Sequence, residues 1–150
     1  KTPYKTHFSA FAGRKKPQQR GGFYLHFEKG NCFIGGGFWG PEKDDLLRIR
    51  KAIDASDELF KILADKKLQS TYGELIGDEL KTAPKGFPKD HERIELLRKK
   101  QFLFIKKFKD EDIFKTEFPQ MVTSAYQDLL PFYNYMTEIL TVNENGESIL

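Results

Sequence analysis

Gly21-Gly-Phe-Tyr-Leu-His-Phe-Glu-Lys-Gly-Asn-Cys-Phe-Ile-Gly-Gly-Gly-Phe-Trp-Gly-Pro41 decides the fold. Phe23, Leu25 and Phe27 alternate with Tyr24, His26 and Glu28, so a strand over Phe23 to Glu28 sends each trio to an opposite face. The apolar trio is expected to point inward. Lys29-Gly30-Asn31 is a turn, because Gly and Asn tolerate positive φ. Cys32 to Trp39 reads as the return strand of an antiparallel hairpin. Gly35-Gly-Gly37 lacks the spacing of a phosphate loop and marks either a bulge or the close approach of another backbone.

Outward from this hairpin the pattern turns helical. Pro41 opens a helix whose first turn holds Glu42, Asp44 and Asp45, matched to the positive end of the dipole. A short helix follows over Asp57 to Ala64. Leu68 to Leu80 is ambiguous between element types. Lys81 to Lys89 is a loop punctuated by Pro84, Gly86 and Pro88. A helix is predicted over Asp90 to Lys100 and a strand over Phe102 to Phe108. The last long helix spans Pro119 to Leu140, with Val122, Ala125, Tyr126, Leu129, Phe132, Tyr133, Met136, Ile139 and Leu140 at helical spacing. Pro131 should kink or divide it. Asn143 to Gly146 looks like a frayed tail. The mixed order of elements predicts an α+β fold, with an antiparallel sheet and a β-hairpin near the N-terminus packed by several helices.

The bulk numbers agree with one domain over residues 1–150. The chain carries 14 phenylalanines, enough large apolar units for a core despite 31% charged residues. A net charge of +3 is mild and argues against a nucleic-acid partner, which calls for a clustered basic face. No apolar run approaches the roughly 20 residues that span a bilayer. The single cysteine, Cys32, permits no internal disulfide, suits a reducing cytoplasm and reads as a packing residue.

Candidate chemistry is sparse. Leu46, Leu47, Ile49 and Ile53 define the buried arc of a helical wheel, and Arg50 falls inside it while Arg48 lies opposite. A guanidinium there needs a partner, either Asp54 four residues on or an anionic ligand. Lys81-Thr-Ala-Pro-Lys-Gly-Phe-Pro88 could hold an anion with Lys81, Lys85 and turn amides, or could be a solvated basic loop. His91 is a candidate general acid or base, or a satisfied histidine at the core edge. His7, His26 and His91 form no short-range metal motif, so no metal and no cofactor are implied. Ser9, Ser56 and Ser70 lack the setting of a nucleophile. Tyr4, Tyr24, Phe33, Phe38 and Trp39 lie near basic residues, an interleaving that can stack bases but suits a sheet core better. Arg14-Lys-Lys and Arg98-Lys-Lys read as solvated surface.

Taken together, Lys1-Thr-Pro-Tyr-Lys-Thr, the Tyr24 strand, Gly37-Phe-Trp-Gly-Pro41, Ile49-Arg-x-x-Ile53, Leu80-Lys-x-x-Pro-Lys-Gly-Phe87 and Asp90-His91 resemble a mainly bacterial, uncharacterised family, domain of unknown function 2461. The resemblance covers most of residues 1–100 and implies that the chain lacks the family's N-terminal portion, which leads into Lys-Thr-Pro-Tyr-Lys through a basic segment. It implies no reaction.

Two functions of different class follow. In the first, Lys5, Arg50, Lys81 and Lys85 converge on a small anionic ligand, with Tyr4 and Trp39 as walls and His91 as a hydrogen-bonding or proton-transfer group. In the second, the chain is a non-catalytic interaction module with an exposed aromatic surface.

Overall fold

The computed structural model describes residues 4–150, so the Lys1-Thr-Pro part of the first motif lies outside it. Four strands form one antiparallel sheet in the order β1 (Phe8–Gly13), β2 (Gly22–Phe27), β3 (Cys32–Phe38) and β4 (Phe102–Phe108). The alternation read from the sequence sets the β2–β3 register, with Leu25 opposite Ile34 and His26 opposite Phe33. Gly30 takes φ of 76° in the turn between them.

Six helices accompany the sheet: α1 (Lys43–Ala55), α2 (Glu58–Leu63), α3 (Lys66–Tyr72), α4 (Ile94–Leu97), α5 (Phe118–Gln127) and α6 (Leu130–Thr141). They cover the face that carries Phe23, Leu25, Ile34, Phe102 and Phe104. Ile34, Phe102 and Phe104 are fully enclosed there with Ile49, Ile53, Leu59, Leu97, Leu129, Phe132, Tyr133 and Met136. Phe23 meets Tyr126 and Tyr133, and Phe27 meets Phe118, so the apolar trio of β2 does face the helices. This is the α+β fold that the patterning predicts. Pro131 divides the last helical stretch, ending up in the first turn of α6 where its missing N–H costs no helical bond.

The glycine triplet admits other chain segments. A Cβ on Gly35 would lie 2.7 Å from the Phe104 carbonyl oxygen, and one on Gly36 would run into the Tyr133 hydroxyl. Gly37 has φ of 122°, and its amide donates to the Tyr133 hydroxyl at 2.6 Å. That hydroxyl in turn donates to the Gly22 carbonyl, so one buried phenol ties α6 to β2 and β3.

Several local expectations are corrected. β1 was not anticipated: all six of its residues are exposed, and Ser, Ala and Gly break up its pattern. The helix expected over Asp90 to Lys100 shrinks to the single turn Ile94–Leu97. At its C-terminal end a competing ladder is the reason. The Leu80 amide takes the Arg98 carbonyl at 2.7 Å, and the Lys100 amide takes the Asp78 carbonyl at 2.8 Å. Helix α1 starts at Lys43, after Pro41 rather than on it. Asn143 to Gly146 is an ordered turn, in which Asn143 Oδ1 accepts from the amides of Asn145 and Glu147, each at 2.9 Å. Arg14 is not merely solvated surface. It donates to Asn134 Oδ1 at 3.1 Å and lies over the Tyr133 ring, fastening the basic loop to α6. Arg98 is likewise engaged, donating to the Leu80 carbonyl and to Glu79.

Candidate functional site

Arg50 and His91 both bridge α1 and the α4 segment, Arg50 at the carbonyls that end α4 and His91 from the turn before it. Arg48 is exposed, as the wheel predicts, but Arg50 is only half-buried, and Leu47, which the wheel places in the buried arc, is 46% exposed. Within the chain Arg50 is partnered by backbone carbonyls rather than by Asp54. Nε donates to the Leu97 carbonyl at 2.9 Å and Nη2 to the Lys99 carbonyl at 3.2 Å. Burial lowers its pKa from the ordinary value. Arg93 answers from the other side, donating to the Ile53 carbonyl at 2.8 Å and the Asp54 carbonyl at 3.0 Å. Each guanidinium thus caps the carbonyl end of the other's segment.

His91 completes this junction. Its Nδ1 accepts from the Arg93 amide at 2.9 Å, which leaves the proton on Nε2, facing Asp54 Oδ1 at 3.0 Å. Both ring nitrogens are engaged. Lys81 and Lys85 are exposed on the loop before it, and Trp39 and Tyr4 are 73% and 83% exposed.

Lys5 belongs to a different place. It lines a cleft of about 480 Å³ with Phe8, Phe27, Lys29, Asp110 and Phe114. Arg50, Lys81, Lys85, His91, Tyr4 and Trp39 are not in its wall. They are also absent from the wall of a larger cleft of about 950 Å³ between α1, α6 and the C-terminal turn.

The cleft beside Lys5 adjoins a hydrogen-bonded polar group on the sheet. Strand alternation puts Tyr24, His26 and Glu28 on the face away from the helices, and β1 brings His7 beside them. His26 is 8% exposed because its ring lies between two others, His7 and Phe33, with centroids 4.6 Å from each. Its Nδ1 is 2.9 Å from the Tyr24 hydroxyl and its Nε2 is 3.1 Å from Glu28 Oε2. Glu28 also accepts from Thr6 at 3.0 Å and from Asn31 at 3.1 Å. The bonds from His26, Asn31 and Thr6, in that order of effect, hold its carboxyl at about 2 against an ordinary 4.5. Across the cleft, Asp110 takes the Gly30 amide on both oxygens, at 3.0 and 2.9 Å.

The sequence shows no short-range metal motif in His7 and His26 and does not bring the four residues of this group together. The signal for half of it was present, since Tyr24, His26 and Glu28 share a face by alternation alone. His7 joins it only through the pairing of β1, which begins at the next residue, with β2.

The family model described as "Conserved hypothetical protein (DUF2461)" matches residues 1–135. The chain belongs to this family. Membership of DUF2461 carries no activity with it, so the geometry of the site has to speak for function. No curated protein and no solved structure matches the chain. Among the described residues of this DUF2461 chain, no helix is long and apolar enough to cross a membrane.

Proposed function

We propose that this chain binds a small anionic ligand, of the organic-acid or phosphate class, in the cleft lined by Lys5 and Lys29. One observation carries the reading. The two anionic residues of that wall are already engaged by donors of the chain itself, Glu28 by Thr6, Asn31 and His26, and Asp110 by the Gly30 amide. Neither Lys5 nor Lys29 takes part in an ion pair among the described residues. Two ammonium groups beside Phe8, Phe27 and Phe114 suit a ligand with a charged end and an apolar body. Arg50 and His91 do not line this cleft, and backbone carbonyls, an amide and Asp54 engage two of the Arg50 donors and both His91 ring nitrogens. The setting is cytoplasmic in this reading, in keeping with a lone, buried and unpaired Cys32.

The test is a thermal-shift and calorimetric screen of phosphate and small mono- and dicarboxylic acids, run in excess EDTA. A ligand at about a hundred times its dissociation constant stabilises by about 2.7 kcal/mol. Lys5→Ala with Lys29→Ala should abolish the shift. A shift that survives both substitutions, or none with any anion, removes the proposal.

A second reading is an interaction module. It is favoured by edge strand β1, whose Phe8 and Phe11 are exposed beside an unpaired backbone edge. Sedimentation of the wild type against a Phe8→Ser, Phe11→Ser variant tests it, with self-association lost in the variant as the supporting result.

A further inference from the structure

We propose that His7, His26 and Glu28 form a binding site for one divalent transition-metal ion of the zinc, cobalt or iron(II) class. The proposal goes beyond anion binding in the cleft and stands independently of it.

The donor set comes first. Two imidazoles and one carboxylate, each offering one ligand atom, lie with those atoms within 4.8 Å of one another. Two histidines and a glutamate make a set that binds zinc with a coordination position left open, and its relatives hold iron(II) with several open positions. Hard cations such as Mg²⁺ or Ca²⁺ prefer oxygen donors and are poorly matched to it.

The support behind the donors is the second observation. An imidazole that ligates a metal through one nitrogen usually bonds a neighbouring group through the other, which sets its tautomer and its angle. His26 has such a neighbour, since its Nδ1 faces the Tyr24 hydroxyl at 2.9 Å. In the free chain Nε2–H donates to Glu28 Oε2, 3.1 Å away, and Nδ1 accepts from the Tyr24 hydroxyl. On metal binding the imidazole proton would sit on Nδ1 and be donated to Tyr24 Oη, and the cation would replace the bridging proton between Nε2 and the carboxylate. The Glu28 carboxylate is held in place by Thr6 and Asn31. The Phe33 ring stacked on one face limits how far His26 can turn away.

The third observation is room to close. Metal–nitrogen and metal–oxygen bonds of roughly 2.0–2.2 Å require donors closer together than 4.8 Å. His26 is enclosed and Glu28 is tied, so His7 is the ligand that moves. It precedes an edge strand that is exposed along its whole length, where a small shift disturbs little packing. His7 and Glu28 also line the cleft, so the open coordination positions would face it.

The experiment uses the full chain, freed of any oligohistidine tag and stripped with EDTA. Zn²⁺ is titrated calorimetrically, and Co²⁺ is followed by its visible absorption. The expected result is one ion per chain. His7→Ala, His26→Asn and Glu28→Gln should each weaken binding by 10-fold to 100-fold or more, while Glu138→Gln leaves it unchanged. Co²⁺ should give intense visible bands of low-symmetry nitrogen and oxygen coordination. If His26→Asn fails to fold, His7→Ala decides. Binding unchanged in His7→Ala, or no saturable binding by the wild type, overturns the proposal. Because the anion screen is run in EDTA, failure of metal binding leaves the anion result standing, and the reverse also holds.

Discussion

Arg50 Nε and the Leu97 carbonyl oxygen are joined by a 2.9 Å hydrogen bond that spans 47 positions of sequence. It is one arm of a two-way clasp. α1 supplies the guanidinium that caps α4, and Arg93 beside α4 supplies the one that caps α1. Arg50→Ala should therefore act on stability. Hydrogen bonds from a charged donor contribute about 1.5–3 kcal/mol, so a loss of about 2 kcal/mol is expected. Urea denaturation should show a lower midpoint with an unchanged slope. Anion affinity should not move, and a selective loss of it would reassign Arg50 to the ligand site.

Tyr133→Phe removes a hydroxyl that accepts from the Gly37 amide and donates to the Gly22 carbonyl. The ring stays, so packing is kept and the polar backbone groups are left without this partner. A cost of about 1–3 kcal/mol is expected, seen as a fall in melting temperature with near-native circular dichroism. An unchanged melting temperature would mean that water replaces the hydroxyl at no cost.

Gly37→Ala and Gly30→Ala separate crowding from backbone conformation. Both positions have positive φ, 122° and 76°. A new Cβ at Gly30 meets nothing within 4 Å, whereas at Gly37 it runs into the Phe102 carbonyl. Gly30→Ala should cost about 1–2 kcal/mol, and Gly37→Ala clearly more, about 3 kcal/mol or above, since strand separation must relieve the clash. Equal losses would refute the steric account.

Acid should weaken the fold partly through Glu28. Its folded pKa is about 2, below the ordinary 4.5, so the carboxylate contributes stability that is fully present above about 4.5 and is lost as pH falls toward about 2. In urea melts across that window, wild type and Glu28→Gln should converge as pH falls. A constant gap between them would show that Glu28 does not titrate with folding.

How far the sequence could be read depends on how much burial each element has to signal. β2, β3 and α6 announce themselves because Leu25, Ile34, Phe132 and Met136 pack on the core at regular spacing. β1 gives no such signal, since an edge strand of Phe, Ser, Ala and Gly buries almost nothing and is held by backbone bonds. The helix before β4 was overestimated for the opposite reason. Its apolar spacing is real, but Leu80 and Asp78 compete for its backbone, and pairing between distant segments is invisible to local periodicity. The same limit applies to the candidate site. Tyr24, His26 and Glu28 share a face by counting alone, whereas His7 joins them only once β1 pairs with β2. Arg50 stands out on the wheel as a charge in need of partners, but backbone carbonyls leave no trace in residue identity.

The three glycines of β3 also act as an alignment key. If β3 slid by two residues against its neighbours, Ile34 or Phe38 would occupy the slot of Gly36, where the Tyr133 hydroxyl and Leu129 leave no space for a side chain. A slide by one residue would turn Ile34 away from the helices. Only one threading of the strand is compatible with α6 in place. A hairpin with so few side chains at its centre would otherwise be free to mispair, and it is the absence of atoms at Gly35, Gly36 and Gly37 that makes the wrong pairings impossible.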